Sequence, residues 1–343
     1  MHHATPLRFL MPGWFSLVMG LCGLALAWHR AQGTLGDIAS GVALVLGVVA
    51  LLVFLVLLVA SAVRVQRHAD ALAEDLMHPV RHAFVAAFPV SLLLLATVGV
   101  ALGGPRGPMA SIWNTLWWLG SLGQLWATVW VLGRWLAPSA SMPPAALWPS
   151  ITPVLLIPVV GNVLVPLAGL PLGHVLWSAA QFGIGALLWP VVLSLLMARR
   201  IAHSPLPDRL LPAWFITVAP PSVIGAALLQ WQAPLPVVLG AWGVGLFFLL
   251  WASVLVRRVV AEPFGVPFWA LSFPLASFTV LSLRLAEVTA DASMRLAGLV
   301  LLAATSLLVL WLGMATVRGL RDGSLRVPEP APPQRPGEQA AKP

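Results

Sequence analysis

Long apolar runs alternate with short polar segments along almost the whole chain. Ten of these runs reach about 20 residues, the length that a helix needs to cross the hydrocarbon core of a bilayer. They are bounded by charged residues or by clusters of proline and glycine, and they lie near 11–28, 38–63, 84–102, 113–136, 151–170, 176–198, 211–229, 237–256, 264–283 and 296–317. The pattern predicts an all-α polytopic membrane protein with ten transmembrane helices.

The composition excludes most other classes of protein. Of the 343 residues, 59% are hydrophobic and only 9% are charged, whereas about 25% are charged in an average soluble chain. There is too little polar surface to cover a soluble globule or to keep a chain disordered. The single cysteine, Cys22, lies within an apolar run, so we expect neither a disulfide framework nor a thiol-based metal site.

The basic residues are concentrated in alternate loops. If the N-terminus is cytoplasmic, 15 of the 19 Lys and Arg residues fall on the cytoplasmic side, and Arg30, Arg106, Arg284 and Arg295 fall on the outer side. The positive-inside rule then places both termini in the cytoplasm, which an even number of spans also requires. Topology therefore explains the net charge of +8, and we expect no nucleic-acid partner.

The runs divide the chain into three parts. Residues 1–10 are predicted to be a cytoplasmic N-terminus, 11–318 the ten-helix transmembrane domain, and 319–343 a proline-rich, disordered cytoplasmic tail. A cleaved signal peptide is the alternative for the first run, because Arg8 precedes it and it reaches Ala25-Leu26-Ala27. The run is long for that purpose, however, and it continues to aromatic and basic residues that suit the interfacial end of a helix.

Proline marks the odd-numbered runs. Each carries proline in or at the start of its apolar stretch, namely Pro12, Pro89, Pro153 with Pro158, Pro220 with Pro221, and Pro274, whereas among the even runs only the sixth has an interior proline, Pro190. Proline removes a backbone donor and clashes one turn back, so we expect the odd helices to bend and the even ones to stay straight. Five copies of a bent-then-straight hairpin is the simplest account.

Such hairpins are parallel repeats, because each enters and leaves on the same side of the membrane. Five of them can close into a ring. A bent helix exposes carbonyl groups that neighbours or a water-filled cavity must satisfy, which favours kinked odd helices around a central pore with the even helices outside them. The alternative is a solid bundle in which the prolines only kink packed helices.

Five motifs on the odd runs resemble the tellurite-resistance/dicarboxylate transporter family, which includes the bacterial TehA-type protein and the slow anion channels of plant guard cells. The motifs are MPGWFSLVMG at 11–20, HPVR at 78–81 with Phe88-Pro89, IPVVGN at 157–162, APPS at 219–222 and WALSFP at 269–274. They stand in the right order, and the resemblance covers all ten runs. It implies a transporter or channel in the bacterial inner membrane.

The resemblance also implies a homotrimer in which each protomer has its own pore, closed near mid-membrane by a phenylalanine of the ninth helix. Carried over by motif, this gate is Phe273; without the motif, a packed core aromatic is the plainer interpretation. The first helix departs from the family, which usually has GYFG where this chain has GWFS at 13–16. Since that second glycine lies close to the pore in relatives, we expect Ser16 to narrow the pore or to add a hydroxyl group.

The span interiors contain essentially no ionisable residue, which argues against coupling to protons or cations through a buried carboxylate. Basic mouths raise the local concentration of anions, and no carboxylate in the spans stabilises a cation. The candidate pore-lining residues beside the gate are Ser16, Met19, Gly20, Gly23, Phe88, Leu92, Pro158, Gly161, Asn162, Val165, Pro221, Ser222, Pro274 and Ser277. For Asn162, a hydrogen bond between helices is the plainer use. Arg284, Glu287 and His29 lie near outer ends, where either snorkelling or a vestibule role explains them.

The sequence thus predicts passive conduction of small anions, such as chloride and nitrate, without a cofactor. The alternatives are a transporter of C4-dicarboxylates such as malate, with or without proton coupling, and a tellurite-resistance membrane protein. We expect no enzyme, because the spans lack the buried Asp and Glu that a nucleophile and base would need. We expect no metal site at His78 and His82, because Pro79 interrupts any helix between them and a third ligand is missing.

Overall fold

The computed structural model describes residues 6–136, 144–203 and 205–326, and every regular element within them is helical. The α-helices are, in order, α1 (Ser16–Arg30), α2 (Gln32–Leu35), α3 (Asp37–Arg67), α4 (Ala69–Met77), α5 (Ala87–Gly103), α6 (Ala110–Leu136), α7 (Leu156–Gly169), α8 (Val175–Ala202), α9 (Ala219–Gln230), α10 (Leu235–Ser253), α11 (Val256–Ala261), α12 (Ser272–Thr289) and α13 (Ala292–Arg321). The predicted all-α class is confirmed.

Five of the helices share one form: a short 3-10 turn passes directly into the α-helix. The turns are Pro12–Phe15 before α1, Arg81–Ala86 before α5, Pro153–Leu155 before α7, Asp208–Val218 before α9 and Val266–Leu271 before α12. We call each turn with its helix a composite segment. The composite segments correspond to the odd-numbered apolar runs of the sequence.

The prolines of the odd runs explain where these α-helices begin. Pro89, Pro158, Pro221 and Pro274 are each the third residue of their α-helix. Proline fits there because the first N–H groups of a helix have no partner within it, and its clash one turn back falls on the 3-10 turn rather than on helix. These four prolines therefore set the change from 3-10 turn to α-helix, where the sequence pattern had suggested a bend within one long helix.

The composite segments are buried and the other long helices are not. In the most apolar window of four composite segments, 72–89% of the residues are buried, against 22–28% in α3, α8, α10 and α13. The fifth composite segment is also almost wholly buried along α7. An apolar helix that stays exposed on most of its surface suits contact with lipid.

The buried helices form a closed ring. α1 contacts α5, α5 contacts α7, α7 contacts α9, α9 contacts α12, and α12 contacts α1. The long helices pack outside this five-helix ring: α3 on α1 and α5, α6 on α5 and α7, α8 on α7, α10 on α9 and α12, and α13 on α12 and α1. We call α3, α6, α8, α10 and α13 the outer helices.

Within the described residues, eight helices are long and apolar enough to cross a membrane, fewer than the ten spans expected. The segment Pro153–Gly169 is apolar but has fewer than 18 residues. The 27-residue α6 carries Asn114, Ser121 and Gln124, which lower its mean hydropathy. The structure therefore supports a multi-pass helical membrane protein, and the count of ten spans stays a prediction.

The predicted terminal parts lie only partly within the described residues. Pro6–Phe9 forms a 3-10 turn. At the other end, α13 continues past 318 to Arg321 and is followed by a 3-10 turn at Ser324–Arg326, so the first residues of the predicted tail are helical. The rest of that tail, 327–343, lies outside the described residues.

Candidate functional site

A small apolar cavity lies at one end of the five-helix ring. Its volume is about 40 Å³, room for only a few water molecules. All five composite segments contribute to its wall: Met11, Gly13, Ser16 and Met19; Phe84; Val154 and Ile157; Leu210, Ala213 and Ile216; and Val266, Pro267, Trp269, Ala270, Phe273 and Pro274. Because the segments meet here by their N-terminal ends, they run through the ring in the same direction.

Phe273 is the second residue of α12 and lies in the cavity wall, where only 5% of it is exposed. Its ring packs against α1: a β-carbon added to Gly23 would lie 3.3 Å from Cδ2 of Phe273. One turn earlier, a β-carbon at Gly20 would collide with the hydroxyl group of Ser272. These two glycines let α1 approach α12 closely beside the aromatic ring.

Ser16 and Met19 face the same cavity from α1. Ser16 is the first residue of α1, and its Oγ donates a hydrogen bond of 2.7 Å to the carbonyl of Gly13 in the preceding 3-10 turn. The hydroxyl proton is therefore used within the turn. Relative to glycine, Ser16 adds a side chain to the wall without adding a free donor.

Two predicted residues of α7, Gly161 and Asn162, contact the outer helices. Asn162 is fully buried; its Nδ2 donates to Thr128 Oγ1 on α6 (2.7 Å) and to the carbonyl of Pro158 (2.8 Å), and its Oδ1 accepts from Gln181 Nε2 on α8 (3.2 Å). Gly161 faces the side chain of Gln124 on α6. The Asn162 amide therefore forms hydrogen bonds between helices, which was the plainer interpretation of this residue.

Carbonyl groups of α7 are satisfied by side chains of α6. The carbonyl of Pro158 accepts from Gln124 Nε2 at 2.7 Å, and the carbonyl of Val165 accepts from Trp117 Nε1 at 2.9 Å. A neighbouring helix therefore satisfies these carbonyl groups, for which the sequence had allowed either a neighbour or a water-filled cavity.

The other candidates lie in packed surroundings. Phe88 packs edge-to-face with Phe15 and stacks on Phe54, at ring-centroid distances of 5.2 and 5.8 Å. It lines a separate cavity of about 370 Å³ that also reaches α3 and α6. Ser222 lies against Gly245 of α10. Leu92, Pro221 and Ser277 are buried. Of the predicted residues, Ser16, Met19, Phe273 and Pro274 line the cavity at the N-terminal end of the ring; that any of them lines an open pore stays a prediction.

The sequence analysis missed most of the cavity wall. Gly13, Phe84, Ile216 and Trp269 all line it, and each stands three residues before the start of its α-helix. Three of them, Phe84, Ile216 and Trp269, stand five residues before the prolines at 89, 221 and 274, but reading this signal requires knowing where each 3-10 turn ends. The shared register relates four of the five composite segments to one another.

The electrostatics of the two ends of the ring differ. None of the residues that line the cavity is ionisable. The five composite segments all begin on this side of the ring, and the N-terminal end of each helical segment carries roughly half a positive elementary charge. Near the opposite end, Arg284 of α12 is partly buried and donates to the carbonyl of Ala226 on α9 at 2.9 Å. In the described part of the chain, no group of three His, Cys, Asp or Glu side chains is placed to hold a metal ion.

Comparison with known proteins identifies the family of this chain. The family model described as SLAC1, voltage-dependent anion channel, matches residues 10–317, which include the whole ring and nearly all of the outer helices. The chain belongs to the SLAC1 family. It is accordingly a multi-pass membrane protein of a family of anion channels and transporters, and the predicted resemblance is confirmed.

Several SLAC1-family relatives are similar over most of this chain. An uncharacterized transporter of Methanocaldococcus jannaschii is 27% identical over 80% of this chain and 83% of its own length. The tellurite resistance protein TehA homolog of Haemophilus influenzae is 26% identical over 78% of this chain and 79% of its own. The S-type anion channel SLAH2 of Arabidopsis thaliana is 23% identical over 86% of this chain but only 56% of its own length.

Proposed function

We propose that this SLAC1-family protein conducts small anions, such as chloride and nitrate, passively along the axis of the five-helix ring, and that Phe273 is its gate. The observation that carries the proposal is the convergence of all five composite segments on one apolar cavity whose wall includes Phe273. The S-type anion channels among its relatives support the same function.

We also infer ten transmembrane spans in five parallel hairpins, each made of a composite segment and the outer helix that follows it. The cyclic contacts of the ring and the shared register of the 3-10 turns support this arrangement; α6 and the segment Pro153–Gly169 complete the ten. The cytoplasmic termini rest on the distribution of arginine. The proposals of a homotrimer and of a location in the bacterial inner membrane rest on the family resemblance.

The chemistry of the cavity favours anions over cations. Its lining contains no carboxylate that would stabilise a cation, while the N-terminal ends of five α-helices give its surroundings a positive potential. The lining also offers no cluster of charged groups that would bind an anion tightly, and weak binding is what rapid conduction requires.

The residues of the ring argue against a C4-dicarboxylate substrate and against proton coupling. A C4-dicarboxylate carries two separated charges, which proteins commonly bind through arginine or lysine side chains, and the cavity has none. Proton coupling would need a titratable group inside the ring. Among the ring helices of the described residues, the sole carboxylate is Glu287, exposed near the end of α12, and His29 lies in the last turn of α1. A tellurite-resistance role in which the pore is vestigial predicts that opening the gate produces no anion flux.

The test is anion flux into liposomes that contain purified protein. Burying a phenyl ring stabilises the packed state by roughly 1.5–3 kcal/mol, so a gate held by packing alone opens when the ring is removed. We expect Phe273→Ala to raise chloride flux at least about tenfold, a ratio that corresponds to about 1.4 kcal/mol. The matched control is Phe278→Ala, since Phe278 lies on the same helix but stacks on Trp242 of α10, with a centroid distance of 5.7 Å. Unchanged chloride and nitrate flux in a folded Phe273→Ala protein would refute the gate.

A further inference from the structure

The parallel ring has an electrostatic consequence for an anion at its far end. Because five α-helices begin beside the cavity, they end together at the opposite opening, which we call the C-terminal mouth. Each helix C-terminus carries roughly half a negative elementary charge. Without compensation, this mouth would repel the anions that the N-terminal end attracts.

Arg284 is placed to supply that compensation. It follows Phe273 by eleven positions on α12, which at 100° per residue brings it back to within about 20° of the same helical face, roughly 16 Å further along the axis. Val280, on the same face between them, is also only partly buried, in contrast to its neighbours on either side. The face of α12 that carries the gate thus continues to a cation at the C-terminal mouth.

The contacts of Arg284 orient it toward the ring. Its Nη1 donates to the carbonyl of Ala226 on α9, at 2.9 Å, while Arg30, the last residue of α1, lies within electrostatic range. Since α1 and α9 are the two ring neighbours of α12, a side chain that approaches both lies on the ring side of α12 rather than on its outer side.

The two arginines lack carboxylate partners. Neither Arg284 nor Arg30 takes part in any of the ion pairs found among residues 6–136, 144–203 and 205–326. Glu287, three residues further along α12, is exposed and interacts electrostatically with Arg284 without forming an ion pair. Two like charges at one mouth repel each other, and a bound anion relieves that repulsion.

We propose that Arg284, with Arg30, forms a binding site for a small monovalent anion at the C-terminal mouth of the ring. The site rests on the proposed conduction path, whose gate lies at the other end. It concentrates chloride or nitrate where the helix dipoles oppose anions, and so it makes Arg284 a determinant of anion over cation selectivity. The planar guanidinium suits nitrate as well as chloride.

One test uses the open gate as background. At about 0.1 M salt, where charges are screened over about 10 Å, we expect Arg284→Gln added to Phe273→Ala to lower chloride conductance by roughly threefold to tenfold and to reduce the chloride-to-sodium permeability ratio. We expect Arg284→Lys to retain most of the chloride conductance and of the permeability ratio, and the loss of conductance in Arg284→Gln to shrink at about 1 M salt. The matched control is Arg295→Gln, an exposed arginine on outer helix α13, which leaves both unchanged. Equal conductance in all variants overturns the site but not the gate.

A second test needs no conduction and therefore separates the site from the proposed function. A ligand that binds only the folded protein raises its melting temperature. Replacing gluconate by nitrate is expected to raise the melting temperature of the wild type and of Arg295→Gln, but not that of Arg284→Gln. Equal shifts in all three proteins, or no shift in any, would overturn the anion site even if Phe273→Ala conducts; a silent Phe273→Ala with the expected shifts would instead count against the conduction path alone.

Discussion

Gly23 of α1 and Phe273 of α12 are in direct contact: a β-carbon at position 23 would lie 3.3 Å from Cδ2 of the aromatic ring and 2.9 Å from the β-carbon of Ala276. The proposed gate is therefore not a free side chain at the centre of an opening. It is wedged against a neighbouring helix that has room for it only because residue 23 is glycine.

The first prediction follows from this contact. Gly23→Ala forces α1 and α12 apart, because the new β-carbon would lie 2.9 Å from that of Ala276, closer than two carbon atoms approach without strain. The ring of Phe273, one turn earlier on α12, is displaced with the helix. We expect a loss of roughly 1–3 kcal/mol in stability and a measurable rise in chloride leak into liposomes, although residue 273 is unchanged. The control is Gly41→Ala on α3, where a β-carbon meets nothing within 4 Å. A leak-free Gly23→Ala protein would mean that the wedge does not hold the gate.

The second prediction concerns Ser16, where the family resemblance implies glycine. Its side chain narrows the cavity while its hydroxyl group is bonded to the carbonyl of Gly13. In a Phe273→Ala background, we expect Ser16→Gly to increase single-channel conductance and Ser16→Ala, which keeps the β-carbon, to change it less. If both substitutions leave the conductance unchanged, the cavity is not the narrow part of the path.

Third, Asn162 should matter for stability and not for selectivity. It is hydrogen-bonded to Thr128 and Gln181 on two outer helices. Removing the amide deletes both bonds and leaves one buried N–H of Gln181 without its acceptor, at a cost of roughly 1–3 kcal/mol. We expect Asn162→Ala to lower the melting temperature while the chloride-to-nitrate permeability ratio of the Phe273→Ala protein stays the same. A changed ratio would return Asn162 to the pore.

The fourth prediction concerns an ion-pair cluster that ties α4 to α3 and to the turn before α5. Asp75 is buried and accepts from Arg64 Nη2 at 2.7 Å and from Arg81 Nη1 at 2.6 Å. Asp75→Asn leaves the buried Arg64 with no countercharge, and breaking a buried pair costs about 3–5 kcal/mol. The adjacent Glu74 pairs with Arg81 but is exposed, so Glu74→Gln should cost no more than about 1 kcal/mol. Thermal unfolding of the two variants checks the difference, and equal costs would show that the cluster is not structural.

The sequence predicted which segments are helical better than it predicted which side of each helix faces lipid, a neighbouring helix or the cavity. Long apolar runs identify helices reliably, and the prolines distinguished the composite segments from the outer helices. The 3-10 turns were not predicted, because nothing in the composition separates a 3-10 turn from the α-helix that follows it. Pro89 illustrates the limit: it indicated a bend inside a helix, whereas it stands in the first α-helical turn after a 3-10 segment.

The candidate site shows the same limit at the level of side chains. In a soluble protein the polar face of a helix shows which side is exposed, but here the lipid side, the packed side and the cavity side are all apolar. Phe88 and Gly161, which were predicted to line the pore, also contact Phe54 and Gln124 of the outer helices, and their place in an open pore stays a prediction. Phe273 and Ser16 lie in the cavity wall, where a 3-10 turn meets its helix, but Phe88, which stands at the same position of α5, does not.

The most direct test of passive anion conduction is the reversal potential of Phe273→Ala channels in a planar bilayer with a tenfold gradient of potassium chloride. A path selective for chloride gives a reversal potential close to the chloride equilibrium value, about 59 mV in magnitude and of the sign set by the anion, and a pH gradient imposed in addition leaves it unchanged. A reversal potential near zero or of the cation sign, or one that follows the pH gradient, would contradict the account.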